Sequence, residues 1–286
     1  MTIVDVNTRL VGLLGNPLGH SFSPAMHNRA FEILGLNFFY MPIEVTPENL
    51  EDVTRGLSKM NFAGYNVTIP HKVRILEYLD HIDELARAIG AVNTVTIQAG
   101  VSTGHNTDGE GYVRSLQMEA GISVREKTFF IVGSGGAARA ISMTLAFRGA
   151  GKIFLCNRTE QKAHDLAAEI NTKVRPCCEV IRMEPSAMAS VIGQAHVLIN
   201  TTNIGMHPDE DRMPIDAGLI PEGIVVSDIV YNPLKTKLLQ TGKEKGCPIV
   251  PGLGMLVYQG AEAFRMWTGT KPPVDEMFAV VRALKG

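Results

Sequence analysis

Thr128-Phe129-Phe130-Ile131-Val132-Gly133-Ser134-Gly135-Gly136-Ala137 passes from an apolar run into a glycine-dense turn, and small residues continue from there to Phe147. Read as strand, turn and helix, the stretch opens a nucleotide-binding half. Main-chain N–H groups and the positive helix end can hold a pyrophosphate there, and glycine lets the backbone come close to phosphate. The third glycine of the G-x-G-x-x-G pattern is replaced by Ala138, so the stretch taken alone also fits a plain strand-to-helix turn.

The next strand, Lys152–Cys156, ends in Asn157-Arg158-Thr159, where an NAD site usually carries an acidic residue for the ribose 2′-hydroxyl. No carboxylate stands there to repel a 2′-phosphate, and Arg158, with Lys162 one turn on, can pair with one. NADP is therefore expected rather than NAD. The competing use is a helix cap at Thr159 with two solvated charges beside it.

Working outward, β-rich runs alternate with amphipathic stretches, which predicts βαβ units and mostly parallel sheets. Strands are expected at Arg9–Gly15, Phe38–Val45, Gly64–Ile69, His196–Asn200, Val225–Ile229 and Pro248–Val250, with a hairpin of Ala91–Ile97 and Val101–His105. Helices are expected at Pro24–Leu34, Pro47–Lys59, Pro70–Leu79, Gly109–Glu119, Glu160–Ile170, Met255–Trp267 and Val274–Leu284. The fold class is α/β, an N-terminal domain with a mostly parallel sheet followed by a doubly wound, Rossmann-like one.

Lys72, in Asn66-Val67-Thr68-Ile69-Pro70-His71-Lys72, would fall in the first turn of the helix that Pro70 opens, where the positive helix end disfavours an ammonium. Asp108, in Asn106-Thr107-Asp108-Gly109, could offset that depression and orient the amine if the fold brings the two together. Such a lysine can donate a proton to a developing alkoxide as hydride arrives. A solvent-facing lysine and a turn aspartate are the plain alternatives. In His20-Ser21-Phe22-Ser23-Pro24, an extended backbone would send both hydroxyls to one side, toward a polyhydroxylated ligand, although Ser23-Pro24 is also a good helix-cap pair.

In order, Gly15-Asn16-Pro17, the His20–Pro24 and Asn66–Lys72 motifs, Gly90-Ala91-Val92-Asn93-Thr94, the Asn106–Gly109 motif, the glycine turn, Asn157-Arg158-Thr159, Tyr231-Asn232-Pro233 and Gly252-Leu253-Gly254-Met255-Leu256-Val257-Tyr258-Gln259 together resemble the shikimate dehydrogenase family, which includes shikimate/quinate dehydrogenases. The resemblance spans nearly the whole chain. It implies NADP-dependent, reversible reduction of 3-dehydroshikimate to shikimate in aromatic amino-acid (chorismate) biosynthesis.

By the same resemblance, Ser21, Ser23, Thr68, Lys72, Asn93, Asp108 and Gln259 look like substrate ligands, with Lys72 and Asp108 as the proton-transfer pair. Gly133, Ser134, Gly135, Gly136, Ala137, Asn157, Arg158, Thr159, Lys162, Thr202, Tyr231, Gly252 and Met255 look like cofactor positions. Gln259 implies a discontinuous substrate domain of residues 1–108 plus 252–286, with residues 109–251 as the dinucleotide domain. Ser134 stands where the family more often has alanine, and His71 replaces a frequently aromatic neighbour of the lysine. Quinate-preferring relatives commonly carry threonine at the position of Ser23, and NAD-preferring ones an acidic residue near Arg158, so both positions favour shikimate and NADP. A quinate/shikimate dehydrogenase using NAD is the alternative, and a silent ligand-binding paralogue a more distant one.

Composition bounds these readings. The chain has 286 residues, 45% hydrophobic and 20% charged, which fits two globular domains and not a disordered or coiled-coil chain. A net charge of −2 with no dense basic run argues against nucleic acid. The apolar stretch Phe129–Phe147 is interrupted by Ser134, Gly135, Gly136 and Arg139, so no membrane span is expected, and Met1–Asp5 does not begin a signal peptide. Four cysteines without a C-x-x-C pair and eight scattered histidines predict free thiols, a cytoplasmic location and no metal. The oligomeric state stays open, with a homodimer among the choices.

Overall fold

The computed structural model describes residues 4–19 and 21–284, so Met1–Ile3, His20, Lys285 and Gly286 lie outside the described residues. Contacts along the chain divide it into two compact units, Met1–Thr107 with Val257–Gly286, and Asp108–Leu256.

The first unit runs β1 (Arg9–Gly15), α1 (Ser23–Ile33), β2 (Phe38–Glu44), α2 (Leu50–Leu57), β3 (Phe62–Val67), β4 (His81–Ile82), α3 (Glu84–Ile89), β5 (Thr94–Gln98) and β6 (Val101–His105). The six strands form one sheet in the order β2-β1-β3-β5-β6-β4. Only β5 opposes the others, because the turn at Ala99-Gly100 folds it directly onto β6. β3 is buried over its whole length, as a central strand covered on both faces should be. The unexpected pieces, β4 and α3, are short, and Asp83 caps α3 by accepting from Ala86 N at 2.6 Å.

One expected helix is absent. Pro70–Val73 forms turns, and only Arg74–Tyr78 coils, as a 3₁₀ segment. The reason is where the carbonyls go. Lys72 O accepts from Val92 N at 2.8 Å, so the N–H of Leu76 bonds Val73 O instead. His71 is buried, with its ring Nε2 2.6 Å from Val45 O. These long-range bonds outweigh a propensity worth only tenths of a kilocalorie per residue. Lys72 therefore does not lie in the first turn of a helix, and no positive helix end acts on its ammonium there.

The second unit runs α4 (Asp108–Ala120), β7 (Thr128–Val132), α5 (Gly136–Phe147), β8 (Lys152–Cys156), α6 (Glu160–Lys173), β9 (Cys178–Val180), α7 (Pro185–Ile192), β10 (Val197–Asn200), β11 (Val225–Asp228), α8 (Lys237–Glu244) and β12 (Ile249–Val250). All six strands are parallel, ordered β12-β11-β10-β7-β8-β9. Chain order thus reverses between β7 and β10, the doubly wound arrangement. Phe129, Phe130, Ile131 and Val132 are all buried, which explains why β7 reads as a continuous apolar run without alternation.

Helix α9 (Gly252–Thr268) follows β12, and α10 (Val274–Ala283) ends the described chain. The start of α9 packs on α4, where a Cβ at Gly254 would stand 2.1 Å from Ser115 Oγ. Its later turns serve the first unit: a Cβ at Gly260 would lie 2.4 Å from Met26, and Trp267 Nε1 donates to Val95 O at 2.9 Å. No helix among the described residues is long and apolar enough to cross a membrane.

Candidate functional site

In the first unit, a polar network lies at the ends of β3 and β5. Tyr40 Oη donates to Asn66 Oδ1 at 2.8 Å, and Asn66 Nδ2 donates to Asn93 O and Thr94 Oγ1 at 3.1 and 3.0 Å. Asn93, buried, spreads its amide over Thr94, Thr107 and Gln259, and its Oδ1 accepts from Thr94 Oγ1 at 3.2 Å. Its Oδ1 also accepts from Thr107 N at 2.7 Å, and its Nδ2 donates to Thr107 Oγ1 at 3.0 Å and to Gln259 Oε1 at 3.4 Å. Lys72 joins through the main chain, since its carbonyl is held by Val92, the residue before Asn93. Thr68 continues β3, its N–H bonding Leu14 O at 2.8 Å. Lys72, Asn93, Gln259 and the residue preceding Asp108 are thus tied to one framework.

The serines differ in detail from the sequence expectation. Phe22 has helical dihedrals (φ −80°, ψ −13°), so the segment is not extended, and Ser23 is already the first residue of α1. Phe22 occupies the cap position and no side chain caps the helix, so Ser23 is not its cap. Ser21 Oγ accepts from Ser23 N at 3.3 Å, fixing the two relative to each other by a turn. His20 of the same motif lies outside the described residues.

In the second unit, every expected cofactor position sits at or beyond a carboxyl end of the sheet. Gly133–Ala137 joins β7 to α5, Asn157–Thr159 follows β8, Lys162 is in α6, Thr202 follows β10, Tyr231 follows β11, and Gly252 and Met255 open α9. The glycines of the turn differ in what they answer to. Gly133 has φ +117°, and a Cβ there would stand 2.5 Å from Thr201 Oγ1, so the fold itself requires it. Around Gly135 and Gly136 a Cβ would meet nothing within 4 Å. Their smallness answers to no protein neighbour, and α5 begins at that point without a side-chain cap. Backbone donors beside open space suit a pyrophosphate.

Arg158 and Lys162 are exposed and enter no recorded ion pair among the described residues. Arg139 differs: it is paired to Glu169 at 2.6 Å, and this guanidinium, with Lys173, holds the Glu169 carboxyl down at about 2. Thr159 occupies the cap position of α6, but its side chain makes no capping bond. Gly252 has a packing reason of its own, since a Cβ would lie 2.2 Å from Ile229 O.

Asn66, Thr107, Asn200 and Asp228 join buried networks without a motif role of their own in the sequence. Three of them are polar residues inside or ending apolar strand runs, and that interruption was the available signal. Among the described residues no group of three His, Cys, Asp or Glu could hold a metal.

An all-parallel sheet that reverses order at its centre, with a glycine turn beside the reversal, defines an α/β protein of the dinucleotide-binding class. Three family descriptions match the chain: the shikimate dehydrogenase substrate binding domain over residues 13–95, shikimate / quinate 5-dehydrogenase over 115–207, and the shikimate 5′-dehydrogenase C-terminal domain over 252–282. The shikimate dehydrogenase (NADP⁺) of Alkaliphilus oremlandii is 46% identical over 275 residues, 96% of each protein. A crystal structure of shikimate dehydrogenase in complex with NADP⁺ superposes with a TM-score of 0.89 at 41% identity, covering 99% of this chain and 98% of that one. The shikimate 5-dehydrogenase from Listeria monocytogenes, in complex with shikimate and NAD, gives 0.92 at 39% identity over 98% of both. The chain belongs to the shikimate dehydrogenase family.

Proposed function

We propose that the chain is an NADP-dependent shikimate dehydrogenase that interconverts 3-dehydroshikimate and shikimate in chorismate biosynthesis. The observation that carries this reading is the first unit's framework around Asn93. One amide orients Gln259, its backbone neighbour Val92 holds Lys72, and its oxygen fixes Thr107, after which the chain places Asp108. Those are the donor and acceptor types that a polyhydroxylated ring acid needs.

In this reading substrate is held through Ser21, Ser23, Thr68, Asn93 and Gln259 of the first unit, and through Asp108, the residue after Thr107. Lys72 donates a proton to the substrate's oxygen in the reducing direction and takes it back in the other, while Asp108 holds the amine in place. NADPH, when bound, supplies the hydride. The second unit's part is to bind and orient: the N–H groups at Gly135–Ala137 take the pyrophosphate, and Arg158 and Lys162 take the 2′-phosphate. Asn157, Thr159 and Ser134 line that end, and Thr202, Tyr231, Gly252 and Met255 line the nicotinamide end. The free cysteines are consistent with a reducing, cytoplasmic setting.

The test is a four-way steady-state comparison of shikimate and quinate, each with NADP and NAD. The expected result is the highest kcat/KM for shikimate with NADP. A higher value for quinate with NAD overturns both choices, and ligand binding without turnover on any ring acid favours a silent paralogue.

A further inference from the structure

We infer that Asp228 is a positioning residue for the cofactor, its buried carboxylate clasping the chain segments after β10 and β11 that carry Thr202 and Tyr231. The inference rests on the proposed NADP site and concerns how that site keeps its shape.

Asp228 ends β11 and pairs in register with Asn200, which ends β10. It is 1% exposed. Its Oδ1 accepts from Asn200 Nδ2 and from Val230 N, each at 3.0 Å, and its Oδ2 accepts from Thr236 Oγ1 at 2.7 Å. Both strand ends are then extended by further bonds. Asn200 Oδ1 accepts from Thr202 N at 3.0 Å and from Thr202 Oγ1 at 2.7 Å, and Asn200 Nδ2 also donates to Ile204 O at 3.1 Å. Thr202 Oγ1 accepts from Ile204 N at 3.1 Å. On the other side Thr236 Oγ1 accepts from Leu239 N at 3.4 Å and so caps α8. The segment from Asp228 to Thr236 closes on itself through this one carboxylate, and Tyr231, 39% exposed, lies between the two ends.

A carboxylate is a costly residue to bury, and burial pushes this one up to about 6 despite its three donors. An aliphatic side chain would fill the volume but leave Asn200 Nδ2, Val230 N and Thr236 Oγ1 without this acceptor. What only an acceptor-only group supplies is simultaneous capture of three donors from three segments: the end of β10, the main chain before Tyr231 and the cap of α8. Ligands of doubly wound sheets bind outside the carboxyl ends beside the order reversal, and β10 borders that reversal. A clasp in this place fixes Thr202 and Tyr231 relative to each other before a ligand arrives, lowering the ordering cost of binding.

The experiment measures NADPH affinity by its fluorescence and the KM for shikimate, on wild type, Asp228→Asn and Asp228→Ala, with thermal unfolding alongside. Asparagine keeps the shape but has one acceptor oxygen in place of two, so the bond from Thr236 is reversed or lost. The expected result is a cofactor Kd raised about three-fold in Asp228→Asn and about ten-fold or more in Asp228→Ala, with the shikimate KM within about two-fold of wild type. A structural role alone would lower the melting temperature and leave both constants of the folded fraction unchanged, and that outcome overturns the inference. If Asp228→Ala does not fold, Asp228→Asn decides. Wild type that fails to bind NADPH removes the underlying site and the inference together, whereas wild-type binding with an unaffected Asp228→Asn overturns the inference alone.

Discussion

Asn93 Nδ2 donates to Gln259 Oε1 at 3.4 Å, joining residues 166 positions apart in the chain. In the proposed reading the Gln259 amide reaches the substrate. Gln259→Ala is expected to raise the KM for shikimate about ten-fold, the cost of one or two hydrogen bonds, with the KM for NADP unchanged. An equal rise in both constants would place Gln259 outside substrate binding.

Lys72 carries the proton in the proposed reaction, so Lys72→Ala should lower kcat by about 10² to 10⁴, the usual worth of one positioned acid or base. The fold depends on its carbonyl, bonded to Val92 N, and alanine keeps that bond. Circular dichroism and melting temperature should therefore match wild type. Wild-type turnover in this variant would remove the lysine from the chemistry.

Much of this arrangement is legible in the sequence, for a physical reason that also marks where reading stops. The run Phe129–Val132, the glycine turn and the Asn157-Arg158-Thr159 end are local features, and the structure keeps each where its neighbours in sequence put it. Pro70–Leu79 is different. Its proline and its mixed polarity suggest a helix, but the decisive bonds come from Val92 and Val45, which no window around Lys72 contains. Ser21 and Ser23 show the same limit on a smaller scale, because a single helical residue at Phe22 turns an extended segment into the entry of α1. Asp228 reads in the sequence as a simple strand end, a polar residue closing an apolar run, and only its three donors show otherwise.

The two sides of the glycine turn make opposite predictions. Gly133→Ala forces a side chain onto φ +117° and against Thr201 Oγ1, whose bond to Val132 O at 2.7 Å holds it in place, so a loss of about 2–4 kcal/mol in stability is expected. Gly135→Ala meets no protein atom within 4 Å at an ordinary φ of −79°, and its stability should stay within about 0.5 kcal/mol of wild type. NADPH binding should nevertheless fall by about ten-fold or more in Gly135→Ala, since the methyl group enters the space assigned to pyrophosphate. Full affinity in that variant would move the phosphates elsewhere.

Arg158 decides the cofactor in the proposed reading. Arg158→Gln should reduce kcat/KM with NADP by about ten-fold or more and leave the value with NAD within about two-fold, because only NADP carries the phosphate that the guanidinium pairs with. Lys162→Gln should act in the same direction and less, a lysine being a point charge without the guanidinium's paired donors. Parallel losses with both cofactors would assign Arg158 to general binding and not to the 2′-phosphate.

His27 governs a pH dependence that belongs to the fold and not to the reaction. It is fully buried, stacked on Tyr40 at 4.6 Å between ring centroids, and neither ring nitrogen has a hydrogen-bond partner among the described residues. Burial alone depresses its pKa from 6.5 to about 3. Between those values the unfolded chain holds a proton that the folded chain does not, so folded-state stability falls as the pH is lowered from 6.5 toward 3, by up to about 1.4 kcal/mol per pH unit. Above 6.5 the contribution is whole. Asp228 runs the other way between 3.8 and about 6, since its raised pKa makes the folded state hold the extra proton there. Comparing wild type with His27→Leu cancels that second contribution. The melting temperature of the variant relative to wild type should climb steadily as the pH is stepped from 7 to 4.5, and a gap that stays constant over those steps would show that His27 is not the group being titrated.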